Sequence, residues 1–167
     1  MEQLARFFIL SLNEGSDKKL NFNFKLNMDQ LSDTLTTLRF AYKEARSTAI
    51  RAYNLLKGHP YFEIKILKDF PEFFYLSPNE AEFLAYDIIL QLEHGRNDLD
   101  ILQRIMALPK FISTSPEIQF AIKVVTAVNE NNYIQFFELL EEADYLTSCI
   151  MSVFLKSIRE KALISMQ

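Results

Sequence analysis

The 167-residue chain contains one cysteine, three glycines, five prolines and no tryptophan. The single cysteine, Cys149, excludes an internal disulfide and a metal site built on paired thiolates, and it favours a reducing compartment. A chain that is 49% hydrophobic with so few glycines and prolines is neither collagen-like nor disordered. We expect a single folded domain over residues 1–167, because a chain of this length buries roughly 70% of its unfolded surface.

Long apolar runs and targeting signals are also absent from the sequence. No stretch approaches the roughly 20 apolar residues of a transmembrane helix. Glu2 stands where a signal peptide carries positive charge, and the apolar run of residues 7–12 is too short for a secretory signal. No Asn-x-Ser/Thr acceptor for glycosylation occurs. These absences predict an intracellular, soluble protein with no membrane contact.

Excess positive charge is missing as well. The chain has 18 basic and 22 acidic residues, a net charge of -4. Residues 1–76 contain eleven basic and nine acidic residues, whereas residues 77–167 contain seven and thirteen. The acidic second half is therefore not expected to lie on the phosphates of a nucleic acid.

Motifs that carry catalytic chemistry are not found. The sequence has no phosphate-binding glycine loop, no HExxH pair and no nucleophile elbow. His59 and His94 lie beside glycines, in a turn and at a helix end, and we interpret both as ordinary residues. Glu141, Glu142 and Asp144 point in different directions from a helix and are expected to face water. We predict no catalytic, cofactor-binding or metal-binding residues, and therefore no enzyme.

Helical periodicity extends over most of the chain. Ser77 and Ser115, each followed by proline, predict helix starts, and Glu80 completes a capping box with Ser77. Gly95 and Pro109 predict helix ends. The predicted helices are Glu2–Leu12, Met28–Arg46, Ile50–Lys57, Ile64–Phe70, Pro78–His94, Asp98–Leu108, a helix from Ser115 to the asparagine cluster, one through residues 133–140, and one through residues 146–166.

The stretch Asn13–Asn27 differs, because its apolar residues alternate with polar ones at a period of two. A lone strand needs a partner, and no second alternating run is evident, so we predict an ordered loop here. The fold class is therefore all-α. Short connections are expected to place neighbouring helices in antiparallel pairs, stacked as in helical-repeat (TPR-like) proteins.

The stretch NENNYIQFFELL, residues 129–140, places a polar cluster before two adjacent phenylalanines. Asparagines tolerate unusual backbone angles, so Asn132 and its neighbours are predicted to form a tight turn between two antiparallel helices. Tyr133, Phe136 and Phe137 are predicted to fill the space between these helices and the helix beginning near Tyr145. Burial of this kind contributes roughly 1.5–3 kcal/mol per phenylalanine.

Three ordered pieces of the sequence resemble the SAC/GANP family, that is, germinal-centre-associated nuclear protein and its relatives. They are AEFLAYDIILQL, which contains Tyr86, the block SPEIQFAIKVVTAVNENNYIQFFELL, and the ending YLTSCIMSVFLKSIREKAL, which contains Tyr145 and Arg159. The resemblance covers Ser77–Gln167 well and Leu26–Tyr42 more weakly. Arg159 projects from an apolar stripe, where it either reaches a carboxylate or a helix-end carbonyl or is an ordinary solvated cation.

The resemblance implies a right-handed superhelix related to PCI-type scaffolds, followed in the family by a winged-helix module. The sequence stops where that module would begin, so we expect the module to be absent or truncated and nucleic acid to be bound weakly at most. The resemblance also implies protein partners, namely a PCI-type subunit and a small acidic peptide. The candidate interaction residues are Tyr86, Asn132, Tyr133, Phe136, Phe137, Tyr145 and Arg159.

The resemblance further implies a non-enzymatic scaffold that links transcription to nuclear mRNA export, located in the nucleus and associated with the nuclear pore. Two alternatives stay open. Smaller relatives act as centrosome or spindle adaptors, and PCI-type subunits of complexes like the proteasome lid share the helical stack.

Overall fold

The computed structural model describes residues 1–14, 22–56, 77–92 and 98–165. These ranges contain helices and no strand, so the predicted all-α class is confirmed. The right-handed superhelix stays a prediction. The helices are α1 (Glu2–Glu14), α2 (Phe24–Leu56), α3 (Glu80–Leu90), α4 (Asp98–Met106), α5 (Lys110–Ser113), α6 (Pro116–Asn129), α7 (Tyr133–Glu142), α8 (Tyr145–Ser152) and α9 (Leu155–Ser165).

Helix α3 lies at the centre of the described part, where it packs against α2, α6 and α8. Every residue from Phe83 to Leu90 is buried, because the sequence FLAYDIIL is apolar on almost all sides of the helix. The predicted stripe through Phe83, Tyr86 and Ile89 is therefore one part of a helix buried all round.

Carboxylates on α3 pair with arginines on the surrounding helices. Arg6 of α1 donates from Nε and Nη2 to the two Glu82 oxygens, at 3.1 and 2.7 Å. Arg39 of α2 donates from Nη1 to Asp87 Oδ2 at 2.9 Å, and Arg104 Nη1 of α4 lies 3.8 Å from the same oxygen. These contacts, with the Arg46–Glu80 pair described below, are called the α3 ion pairs. They link α1, α2 and α4 to the central helix.

Helix α2 corrects two predictions. Residues 24–27, placed in the ordered loop Asn13–Asn27, are helical, as are residues 13–14 at the end of α1, and the Asn23 side chain accepts a hydrogen bond from the Leu26 N–H at 3.1 Å. The helix then continues to Leu56 and joins the predicted helices Met28–Arg46 and Ile50–Lys57, because no glycine or proline interrupts residues 43–56. Residues 15–21 and the predicted helix Ile64–Phe70 lie outside the described residues.

The predicted start of α3 is also wrong. The helix begins at Glu80 rather than Pro78, and the side chain of Asn79 at the cap position accepts no hydrogen bond from the first turn of the helix. The capping box does not form because the Glu80 side chain is buried in the core instead of reaching back to Ser77. The helix ends at Leu90, and the predicted end at His94 lies outside the described residues.

The last predicted helix, residues 146–166, is two helices. A turn at Val153 and Phe154 separates α8 from α9, and both N–H groups donate to carbonyls three residues back. Ser152 Oγ donates to the Cys149 carbonyl at 2.7 Å, a contact that bends a helix by competing with its backbone bonds. Cys149 and Phe154 are buried, as the apolar stripe predicted.

The predicted α4 and α6 are confirmed, whereas the short α5 was not predicted. Ser115 caps α6, since its hydroxyl accepts from the Ile118 N–H at 3.4 Å. A Pro-Lys-Phe-Ile-Ser segment has no apolar periodicity long enough to indicate α5.

Candidate interaction surfaces

The turn between α6 and α7 closes through backbone hydrogen bonds from two asparagines. The Asn131 N–H donates to the Val128 carbonyl at 3.2 Å, and the Asn132 N–H donates to the Ala127 carbonyl at 2.9 Å. Asn131 has φ 52, in the left-handed region that asparagine tolerates better than other non-glycine residues. The predicted tight turn is confirmed, and it is a Schellman-type helix end.

Asn132 also begins the next helix. Its Oδ1 accepts from the Gln135 N–H at 3.2 Å, which satisfies one of the free donors at the start of α7. Its Nδ2 donates to Gln135 Oε1 at 3.2 Å. Asn132 therefore has a structural role at this turn.

Phe136 and Phe137 have different environments although they are adjacent. Phe136 is fully buried, whereas Phe137 and Tyr133 are half-buried and pack against the core. The two phenylalanine rings meet edge to face, with centroids 5.9 Å apart and planes at 81°. The predicted filling of the space between helices is thus complete for Phe136 and partial for its neighbours.

An apolar groove of about 300 Å³ lies between the end of α6, α7 and α9. We call it the α6–α7–α9 groove. It brings together three of the predicted interaction residues, Asn132, Tyr133 and Phe136. Its lining residues are Ala127, Val128, Asn131, Asn132, Tyr133, Phe136, Ile158, Lys161, Ala162 and Ile164.

The other candidate residues lie elsewhere. Tyr86 is 3% exposed in the core, and its hydroxyl donates to Glu82 at 3.1 Å. Burial, together with the Glu82 carboxylate, raises the pKa of Tyr86. Tyr145 is exposed at the start of α8, and Arg159 is exposed on α9 with no carboxylate within ion-pair distance among the described residues. The seven residues therefore do not form one site.

A second cleft, of about 340 Å³, lies between α3, α6 and α8. Because three carboxylates lie on its walls, we call it the acidic cleft. These carboxylates, Glu82, Glu117 and Asp144, are far apart in sequence, and no local pattern indicated that they meet. The complete lining is Glu82, Ala85, Tyr86, Ile89, Glu117, Phe120, Asp144, Leu146 and Thr147.

Asp144 is held in place as the N-cap of α8. Its Oδ2 accepts from the Leu146 and Thr147 N–H groups at 3.2 and 3.4 Å, and its Oδ1 accepts from the Thr147 hydroxyl. The Asp144 side chain is exposed, as predicted from the sequence. An aspartate directly before an apolar helix is an N-cap signal that would have indicated the capping role.

Glu80, predicted to complete a capping box, is instead a buried carboxylate. It is 1% exposed, and its Oε1 lies 3.5 Å from Arg46 Nε. Neither Glu80 oxygen accepts a hydrogen bond, and Arg46 Nη1 is likewise buried without one. Burial raises the pKa of Glu80 to about 7, although Arg46 opposes the shift.

Glu2 is a carboxylate in the opposite situation. Its oxygens accept from the Tyr42 hydroxyl at 2.6 Å and from Asn79 Nδ2 at 2.9 Å. These hydrogen bonds, Tyr42 foremost, lower the pKa of Glu2. Burial and then the Glu2 contact raise the pKa of Tyr42. The pKa values of the two carboxylates therefore shift in opposite directions because burial dominates at Glu80, whereas accepted hydrogen bonds dominate at Glu2.

Two kinds of site are absent from the part of the chain that the structure describes. No group of three or more His, Cys, Asp and Glu side chains is placed to hold a metal ion there. None of the helices in this part combines the length and the apolar character needed to cross a membrane.

Comparison with known proteins places the chain beside one family. A sequence model of the SAC3/GANP family matches residues 1–167. Protein xmas of Drosophila melanogaster is 30% identical over 162 residues, which are 95% of this chain and 6% of that protein. SAC3 family protein B of Arabidopsis thaliana is 26% identical over 180 residues, 99% of this chain and 9% of that protein.

A further relative, SAC3 family protein A of Arabidopsis thaliana, is 30% identical over 81 residues, 48% of this chain and 8% of that protein. The chain thus spans less than a tenth of the length of each of these three relatives.

Proposed function

The chain belongs to the SAC3/GANP family, and from this premise we propose that it is a non-enzymatic scaffold for protein partners in a complex that couples transcription to nuclear mRNA export. The observation that carries the proposal is the family match over residues 1–167. The all-α architecture supports it, since stacked helices present extended surfaces for partners. A nuclear location, with association at the nuclear pore, follows from the same proposal.

The α6–α7–α9 groove is the partner-binding surface in this proposal. Its lining is mainly apolar, with Phe136 buried beneath it and Lys161 contributing a charge. Ile164 lines the groove and is 72% exposed, so an apolar side chain is available to a partner there. Protein interfaces combine an apolar centre with a polar rim, which is the character of this surface. The proposed partners are a PCI-type subunit and a small acidic peptide.

Substitution of Ile164 tests the proposal. The tagged chain and its Ile164→Asp variant are incubated with nuclear extract, and the captured proteins are identified by mass spectrometry. We expect the unmodified chain to capture PCI-type and mRNA-export proteins, and Ile164→Asp to lose them because a charge enters an apolar contact.

Ile134→Asp is the matched control for this experiment. Ile134 is an isoleucine of α7 with 60% exposure that does not line the groove, so the same chemical change is expected to leave capture intact. Capture of centrosomal proteins, or of proteasome-lid subunits, in place of export proteins would contradict the proposed role in export. Equal capture of export proteins by the two variants would show that the α6–α7–α9 groove is not the partner-binding surface.

A further inference from the structure

The acidic cleft between α3, α6 and α8 has apolar walls and a surplus of negative charge. We propose that it binds a lysine or arginine side chain of a partner protein. The occupant is a protein segment rather than a nucleic acid, because the charges of the cleft repel phosphate. The inference goes beyond the proposed function, since the acidic cleft and the α6–α7–α9 groove share no lining residue.

The carboxylates at the cleft favour a positively charged occupant. Three carboxylates line the cleft, and one of them, Glu82, is paired with the guanidinium of Arg6. Arg6 donates hydrogen bonds to Glu82, and Asp144 accepts them from the first turn of α8. The Glu117 side chain is exposed in the first turn of α6 and makes no hydrogen bond or ion pair among the described residues. The surplus of negative charge favours a cation by charge complementarity.

The apolar walls of the cleft favour a side chain with a long aliphatic stem. Ile89 is fully buried behind the cleft, and Phe120 and Leu146 are half-buried on its walls. Lysine and arginine lay their aliphatic stems on such surfaces while the charged group stays near carboxylates or water. A volume of about 340 Å³ is at the small end of the roughly 300–1,000 Å³ of small-molecule pockets, so it suits one or two side chains.

The protein itself shows that this edge of α3 holds a guanidinium. Arg6 makes two hydrogen bonds to Glu82, and its Cζ lies 5.1 Å from the centroid of the Phe83 ring. A carboxylate and an aromatic ring together are a favourable environment for arginine. The cleft offers the same pair of groups, with Glu117 as the carboxylate and Phe120 as the ring.

Titration with a defined peptide tests the inference. The ¹⁵N-labelled chain is titrated with acetyl-Leu-Arg-Leu-Lys-Leu-amide, and amide chemical shifts are followed by NMR. We expect saturable shifts at Glu117, Phe120 and residues 144–147. Acetyl-Leu-Glu-Leu-Glu-Leu-amide, with the opposite charge, is expected to leave these signals unchanged.

Charge reversal on α6 provides the matched pair of variants. Glu117→Lys is expected to weaken peptide binding roughly fivefold or more, because it removes an attractive charge and adds a repulsive one. Glu130→Lys reverses an exposed glutamate at the other end of the same helix, outside the cleft, and is expected to bind as the unmodified chain does. Superimposable spectra without peptide establish that both variants are folded.

Three outcomes would overturn the inference. Equal shifts with both peptides would show that charge is not recognised. Shifts spread over all exposed carboxylates, including those of α7, would show unspecific counter-ion binding. Shifts at the cleft that grow with protein concentration before peptide is added would show that a second copy of the chain is the occupant. The Ile164→Asp variant is expected to bind the peptide normally, so failure of this test is separate from failure of the groove.

Discussion

Two groups of helices around α3 are held by different interactions. Where α1, α2 and α4 meet α3, the α3 ion pairs add arginine–carboxylate contacts to an apolar core. Among α6–α9, the contacts are apolar side chains, aromatic rings and helix caps, and no ion pair joins these four helices to each other within the described ranges. Charged pairs specify which helices meet and at what register, whereas apolar packing supplies most of the free energy.

Substitution of Phe136 is expected to have the largest effect on this comparison. Phe136→Ala removes a fully buried ring from the group of helices that depends on packing and is expected to lower the free energy of unfolding by about 3–5 kcal/mol. Urea denaturation followed by circular dichroism measures the loss. Phe137→Ala, the same change at the half-buried neighbour, is expected to cost clearly less. Equal losses would show that the two rings share the packing equally.

The pH dependence of stability tests the contribution of the buried Glu80 carboxyl. The folded-state pKa of Glu80 is raised from 4.5 to about 7, so its stabilising contribution is present below pH 4.5 and is lost as the pH rises to about 7. Relative to Glu80→Gln, which does not titrate, the unmodified chain is expected to lose about 3 kcal/mol between pH 4.5 and 7.5. Denaturation of both proteins across this range measures the difference.

Glu2→Gln is the control, because the pKa of Glu2 is shifted in the opposite direction to that of Glu80. The pKa of Glu2 is lowered, so its stabilising contribution is present above its ordinary pKa of 4.5 and is lost at lower pH. The difference between the unmodified chain and Glu2→Gln is therefore expected to be constant from pH 5.5 to 7.5. A pH-independent difference for Glu80→Gln as well would show that Glu80 is not desolvated in solution.

The Arg6–Glu82 pair is expected to show the smallest effect. Both side chains are partly exposed, at 33% and 25%, so water and salt screen their attraction. Arg6→Met keeps the packing of the stem and is expected to cost under about 1 kcal/mol at low salt, and less in 0.5 M NaCl. Thermal unfolding at the two salt concentrations measures this. A larger, salt-independent loss would show that this pair contributes as much as buried packing does.

Local signals predicted the features that depend on a few neighbouring residues. Ser115 before a proline predicted the start of α6, and the asparagine cluster predicted the turn that Asn131 and Asn132 close. Apolar periodicity predicted that Phe136 and Cys149 lie inside. These predictions succeeded because caps, turns and stripes arise from contacts within about four residues.

Features that depend on distant residues were predicted less well. Glu80 was assigned to a cap because its spacing from Ser77 suits one, yet the core placed it beside Arg46 of α2. The break between α8 and α9 was missed because the apolar stripe continues through it without a glycine or proline. The break coincides with the Ser152 hydroxyl bound to the Cys149 carbonyl, a contact that apolar periodicity does not indicate. The acidic cleft was not foreseen, because its carboxylates lie on α3, on α6 and at the N-cap of α8, and no spacing in the sequence encodes the arrangement of these helices.

The sequence by itself determined the all-α class, the family, most helix positions and the absence of motifs for catalysis. Each of these depends on periodicity, composition or ordered motifs, which a linear chain carries without folding. Only the tertiary structure decided which carboxylates are buried, which aromatic residues line a groove, and which charges face one another. Those properties belong to pairs of residues far apart along the chain, and their energies exist only once the helices pack.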